Sequence, residues 1–182
     1  MSAAAVLVFR QLGPAYHALH LSGLQEGLEV LELIPMGRQA QLIIKGPEAA
    51  IIKVVQQLSL PDFMSFTLLP NWNTRVEKAF YSLEHTGPKG PLIFYESESL
   101  GQLFQVAHEA LGENLEIVDL KIPRGPASLG ILILTGAEIK GPFLAKLQVS
   151  TGKVTYIQQP SAVLKSYFEI EVSVPAKGSS PT

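Results

Sequence analysis

Two stretches decide the fold: Leu28-Glu-Val-Leu-Glu-Leu-Ile-Pro-Met-Gly-Arg-Gln-Ala-Gln-Leu-Ile-Ile-Lys-Gly46 and Leu115-Glu-Ile-Val-Asp-Leu-Lys-Ile-Pro-Arg-Gly-Pro-Ala-Ser-Leu-Gly-Ile-Leu-Ile-Leu-Thr-Gly136. Each reads as a strand, a loop bearing Pro, Gly and Arg, and a nearly continuous apolar strand that ends on glycine. Leu28 matches Leu115 at a displacement of 87 residues and Gly46 matches Gly136 at 90, so the second loop is three residues longer. An internal repeat of this kind sets the architecture before any single residue does.

Working outward in the first copy, Ala4 to Phe9 reads as a buried strand, and Gly13-Pro14 opens a helix over Ala15 to Leu24. Leu28 to Ile34 is the second strand, with Leu28, Val30 and Glu32 on one side and Glu29, Leu31 and Leu33 on the other. Pro35 to Gln39 is the loop and Ala40 to Lys45 the third strand. A helix over Pro47 to Leu58 carries Ile51, Val54, Val55 and Leu58 at helical spacing. Strand, helix, strand, strand, helix is the order of the ferredoxin-like topologies.

Pro61 to Gly90 reads as a joint rich in Pro and Gly that holds the only tryptophan, Trp72. Within it a strand is expected over Phe63 to Leu69. A helix is expected over Thr74 to Leu83, capped by Asn73 or Thr74 with Glu77 as the capping-box partner. The second copy opens at Pro91, where Leu92-Ile93-Phe94 echoes Leu7-Val8-Phe9. A helix over Ser99 to Leu111 follows, then the hairpin, then a helix that Gly141-Pro142 starts. Strands are expected at Val154 to Gln158 and, from its alternation, at Lys165 to Val174. The fold class is therefore α+β: a tandem duplication of a ferredoxin-like domain, a mixed antiparallel sheet in each with helices on one face. The domains are 1–88 and 89–175, and 176–182 is a small polar tail expected to be disordered.

The 182 residues are 47% hydrophobic and only 16% charged, enough to bury a sizeable core and low in charge for a solitary soluble domain. A net charge of −2 gives no electrostatic support for a nucleic-acid or anionic-membrane role. No cysteine is present, which removes disulfides, thiolate nucleophiles and metal thiolates. No apolar run approaches the roughly 18 residues of a membrane span. The start of the chain lacks the basic n-region of a signal peptide, so a cytoplasmic protein is expected.

Catalytic chemistry finds little to stand on. No nucleophile elbow, phosphate loop, dinucleotide fingerprint or paired-histidine zinc motif occurs. His17 and His20 lie three apart on one helix, a spacing that can hold a metal, but no carboxylate or third histidine of motif quality accompanies them. His108 lies on the matching helix and His85 in the joint. Glu29, Glu32, Glu116 and Asp119 recur on the paired strands and read first as solvent-side or interface carboxylates. The two loops are the sharper feature: Met36, Gly37, Arg38 and Gln39 in one, and Arg124, Gly125, Pro126, Ala127 and Ser128 in the other. Each sets a fixed positive charge beside a glycine between two strands.

This pattern is similar to that of bacterial microcompartment shell proteins in their tandem form. The likeness rests on Leu7-Val8-Phe9, Ala15-Tyr16-His17-Ala18, Val30-Leu31-Glu32, Met36-Gly37-Arg38, Leu42 to Gly46 and Glu48-Ala49-Ala50. The second copy repeats it in Leu92-Ile93-Phe94, Leu115 to Leu120, Arg124-Gly125 and Ile131 to Gly136. It covers most of both halves but not Pro61 to Gly90. The resemblance implies a non-catalytic homotrimer, pseudohexameric because each chain carries two copies. Both loops would line a central pore, and six arginines would favour small anionic metabolites. Self-association, other shell proteins and metabolites are the implied partners; no cofactor or metal is implied. Two departures stand out. The lysine usual at the end of the first helix is absent from His20-Leu21-Ser22-Gly23 and from His108-Glu109-Ala110-Leu111. The aspartate that often follows the strand-ending glycine is replaced by Pro47 and Ala137. Both bear on edge-to-edge tiling rather than on the ring. The alternative is a regulatory module of tandem ACT-like domains that binds a small molecule between its units.

Overall fold

The computed structural model describes residues 2–58, 63–83, 86–125 and 127–172. In chain order the first copy holds β1 (Ala3–Phe9), α1 (Leu12–Gly23), β2 (Glu29–Met36), β3 (Gln39–Gly46), α2 (Glu48–Gln56), β4 (Phe63–Leu69) and α3 (Thr74–Phe80). The second holds β5 (Leu92–Ser97), α4 (Leu100–Gly112), β6 (Glu116–Lys121), β7 (Gly130–Thr135), α5 (Gly141–Gln148), β8 (Lys153–Ile157) and α6 (Ala162–Val172). The two four-stranded sheets have the same order, β2-β3-β1-β4 and β6-β7-β5-β8, and every pairing is antiparallel. This is a tandem ferredoxin-like arrangement.

The registers fix how the copies correspond. Ala4 lies opposite Lys45 and Leu69, and Leu92 opposite Thr135 and Ile157. Leu92-Ile93-Phe94 therefore matches Ala4-Ala5-Val6, a displacement of 88, and not Leu7-Val8-Phe9. The helices obey the same displacement, Leu12 to Leu100, which makes His108 the counterpart of His20. Both copies carry a β-bulge at the matching place in their second strand, between Val30 and Glu32 and between Ile117 and Asp119. The extra residue inverts the alternation beyond it. Val30 consequently joins the core under α1 while Glu32 lies opposite Ile43, on the other face; the sequence alternation had put both on one side.

Each sheet has a helix face and an outer face. In the first copy α1 and α2 close Ala3, Ala5, Leu7, Phe9, Leu42 and Ile44 into a core. The outer face, with Ala4, Val6 and Ile43, is not left to water. It belongs to one continuous core with Val76, Ala79 and Phe80 of α3 and with Leu103, Phe104 and Ala107 of α4. Pro61 to Gly90 is thus more than a joint: β4 is the fourth strand of the first sheet and α3 covers that sheet's outer face.

The second copy has its own version of α3, and here the sequence reading is corrected. Lys165 to Val174 was expected to be a strand; as far as residue 172 it is part of α6. Both periods were present, and the helical one wins because Leu164 and Phe168, four residues apart, dock on Leu92, Val118 and Ile133 of the outer face. Ser161 caps the start, its Oγ accepting the Leu164 N–H at 3.3 Å. Leu164 and Phe168 are the counterparts of Val76 and Phe80. The tail 176–182 lies outside the described residues.

Candidate functional site

The joint between the copies is built from aromatic and charged groups. Trp72 meets Phe104 edge to face at 5.3 Å between ring centroids, and Phe80 meets Phe104 at 5.6 Å. Trp72 also lies over His108 at 5.1 Å. The Trp72 Nε1–H donates to Glu77 Oε2 at 2.7 Å, and Lys45 Nζ sits 2.8 Å from Glu77 Oε1 and 2.9 Å from Glu29 Oε2. Glu77 therefore holds the tryptophan and the lysine rather than closing a capping box; Asn73 alone caps α3, its side chain accepting the Arg75 N–H. Burial pulls the Lys45 pKa down, but Glu77 and Glu29 outweigh it and hold the group above its ordinary value. His108 is held below the ordinary imidazole value by burial. The Asn73 N–H reaches its Nε2 at 3.4 Å, which suits the neutral ring.

Glycine sets the distance between the copies. A Cβ on Gly101, at the start of α4, would fall 2.8 Å from the Thr67 Cβ of β4. The bare backbone lets the helix of one copy lie on the strand of the other. Gly13 is its counterpart in α1, and a Cβ there would meet nothing within 4 Å.

The two arginine loops differ. β2 and β3 are joined by Gly37 and Arg38 alone, because Met36 pairs with Gln39. Gly37 takes the positive φ, 66°, that such a tight hairpin needs at its first position. Arg38 and Gln39 are exposed and Met36 is buried. Among the described residues Arg38 makes no ion pair. Arg124 does: its Nη1 lies 2.7 Å from Glu32 Oε1 in the other copy. Gly125 N–H donates to Ser128 Oγ, which donates in turn to the Gly125 carbonyl. Ala127 has a positive φ, 57°, and Pro126 lies outside the described residues.

One open cleft of about 540 Å³ draws on both loops. Met36, Arg38 and Gln39 line it from the first copy and Ala127 and Ser128 from the second. Gln41, Ser65, Glu98 and Ser99 complete the polar wall, and sequence reasoning missed all four. Gln41 carried the one usable signal, a polar residue in an otherwise apolar strand. It is 4% exposed; among the described residues its Nε2 reaches only the Met36 sulfur, and its Oε1 has no hydrogen-bond partner.

The remaining candidates do not converge. Glu29 pairs with Lys45, Glu32 with Arg124, Glu116 with Lys89, and Asp119 with Lys121, so each repeated carboxylate has its own cation. His17 and His20 are exposed, His85 lies outside the described residues, and no group of three or more His, Asp or Glu side chains is placed to hold a metal among the described residues. No helix among them is long and apolar enough to cross a membrane.

No family model matches this sequence, and neither does any curated protein. Among solved structures the chain is similar to a microcompartment protein from Desulfitobacterium hafniense. The TM-score is 0.75 at 18% identity, over 91% of this chain and 99% of that one. The fold is thus that of a microcompartment protein across both copies. A putative glycine cleavage system transcriptional repressor aligns over 87% of this chain and 98% of its own, at 14% identity and a TM-score of 0.30, too loosely to carry an argument.

Proposed function

We propose that this chain is a non-catalytic, tandem-domain shell protein of a bacterial microcompartment. Three chains close head to tail into a pseudohexameric ring in the cytoplasm, with a central pore for small metabolites. The fold shared with a microcompartment protein supports the class. The observation that carries the ring is that the joint inside the chain is left half-made at both ends.

Inside the chain, α4 of the second copy docks on β4 and α3 of the first through Gly101, Phe104 and His108. The same positions on α1 are Gly13, Tyr16 and His20, and all three are exposed, Tyr16 at 56%. The receiving surface recurs too. Thr155 stands where Thr67 does and is exposed; Tyr167 of α6 stands where Ala79 does and is 57% exposed, against 5% for Ala79. Val163 beside it is 80% exposed. An aromatic helix face at one end, and Tyr167 beside the exposed apolar Val163 at the other, with Tyr16 and Tyr167 matching the buried Phe104 and Ala79 inside the chain, is the layout of a heterologous interface that closes into a ring.

In such a ring the hairpin tips surround the axis. Arg124 is matched by Glu32, so the positive potential at the pore comes from Arg38, one in each chain, rather than from six arginines. Met36, Gly37, Arg38, Gln39, Gly125, Pro126, Ala127 and Ser128 remain the proposed pore residues. Other shell proteins are the partners such a ring would meet.

Native mass measurement tests the ring. The expected particle is about 59 kDa, three times the 19.7 kDa chain, and Tyr16→Glu and Tyr167→Glu should each reduce it to the single chain while leaving the circular dichroism spectrum unchanged. A wild-type protein that runs as a monomer at micromolar concentration refutes the proposal.

A further inference from the structure

We infer that the cleft between the two copies binds a small carboxylate that also carries a hydroxyl or ammonium donor. Met36, Arg38, Gln39, Ala127 and Ser128 are also proposed pore residues, so the inference rests on that reading and deepens it by naming the class of molecule held there. Every group invoked belongs to one chain, so binding itself does not need ring closure.

Three features carry the assignment. Arg38 is an exposed guanidinium with no ion pair among the described residues, and its planar fork matches a carboxylate in two parallel hydrogen bonds. Gln41 is the second feature. An amide carbonyl buried without a donor costs about 1–3 kcal/mol, and folded chains rarely keep one unexplained. Here, among the described residues, Oε1 is unpartnered and the amide nitrogen has only the Met36 thioether, 2.8 Å away and a weak acceptor. Methionine is unbranched and changes rotamer readily, so its side chain acts as a movable cover over the amide. With the sulfur moved aside the amide is open to a ligand: its donor supplies the hydrogen bond that Oε1 lacks, and a ligand oxygen accepts the Nε2–H that the sulfur had held. Third, Glu98 brings a carboxylate to the same cleft, with no ion pair among the described residues, and accepts from the same hydroxyl or ammonium. Val8 and Met36 give the ligand's carbon skeleton an apolar wall.

An anion alone satisfies Arg38 but leaves the amide orphaned, and a neutral polyol does the reverse. The site selects for both groups in one molecule, and at about 540 Å³ it has room for one of a few carbons.

The test is isothermal titration of the purified protein with four probes of similar size: glycerate, serine, propionate and glycerol. Glycerate, serine or both should bind at least tenfold more tightly than propionate and glycerol. Glycerate alone would assign a hydroxyl donor and serine alone an ammonium. Arg38→Ala should weaken the preferred probe tenfold or more. Gln41→Leu should remove its advantage over propionate and leave propionate itself unchanged, with a thermal melt confirming that the variant is folded. If none of the four binds, if propionate equals the hydroxy and amino acids, or if Arg38→Ala changes nothing, the assignment is wrong. Particle mass is read on the same samples, so loss of the ring and loss of the site are seen separately.

Discussion

Replacing Gly101 by alanine sets two effects against each other, and the structure decides between them. Inside a helix the change gains up to about 1 kcal/mol. Against this, the new Cβ would lie 2.8 Å from the Thr67 Cβ and 3.2 Å from its Cγ2, and would overlap its Oγ1. Rotating the Thr67 side chain moves Oγ1 and Cγ2 but not Cβ, which is fixed to the backbone of β4. Carbon atoms rest about 3.5–4.0 Å apart, so α4 and β4 must separate by roughly 1 Å. Overpacking of this kind costs about 1–3 kcal/mol, and a clash with a backbone-anchored atom belongs at the upper end. The net expectation is a loss of about 1–2 kcal/mol, or about 2–8 °C in Tm for a chain of this size. Urea unfolding followed by circular dichroism and by Trp72 fluorescence measures it, and Trp72 sits in the joint under test. In a double-mutant cycle with Thr67→Gly the two changes should couple by more than about 0.5 kcal/mol. Gly13→Ala is the contrast, since nothing stands within 4 Å of its Cβ position. The single chain should lose no stability, yet a ring built by repeating the joint should dissociate more readily, because the methyl meets Thr155 of the next chain. A Gly101→Ala protein as stable as the wild type would refute the account of the joint. A Gly13→Ala ring as tight as the wild type would refute its repetition.

Other changes probe the same surfaces. His108 has its folded pKa lowered by burial, so the neutral ring is favoured in the fold. Its stabilising contribution is complete above the unfolded value of about 6.5 and is lost as pH falls through the folded value. The melting temperature of the wild type should therefore fall more than that of His108→Gln on acidification from pH 7 to pH 5. Trp72→Phe removes the donor to the Glu77 carboxylate while Lys45 stays in place; a charge-assisted bond of this kind is worth about 1.5–3 kcal/mol, read by urea unfolding with circular dichroism. Arg124→Ala breaks a largely exposed pair with Glu32 and should cost no more than about 1 kcal/mol, leaving the particle mass unchanged; dissociation of the ring on this change would make the loop an interface element.

The duplication was legible because its signals are local. Alternating and continuous apolar runs, the glycines that end them and the prolines that open helices are set by neighbours in sequence, and they recur in both copies. The cap at Asn73 and the helix start at Gly141-Pro142 were readable for the same reason. The bulges at Val30 and Ile117 were not, since an extra residue in a strand shows only against the strand it pairs with. Lys165 to Val174 offered two periods, and the sequence held nothing to choose between them until an outer sheet face lay beneath Leu164 and Phe168.

The candidate site divides along the same line. The sequence by itself placed a glycine and an arginine in each of two matched loops, because turn chemistry is written in adjacent residues. That both loops open on one cleft, and that among the described residues Gln41 lies buried there with an unmatched oxygen and Glu32 pairs with one arginine but not the other, follow from how the copies dock. The docking is set by residues far apart in the chain, Gly101 on Thr67 and Phe104 between Trp72 and Phe80. Contacts of that separation form only once each copy has made its sheet, and no window along the sequence contains them.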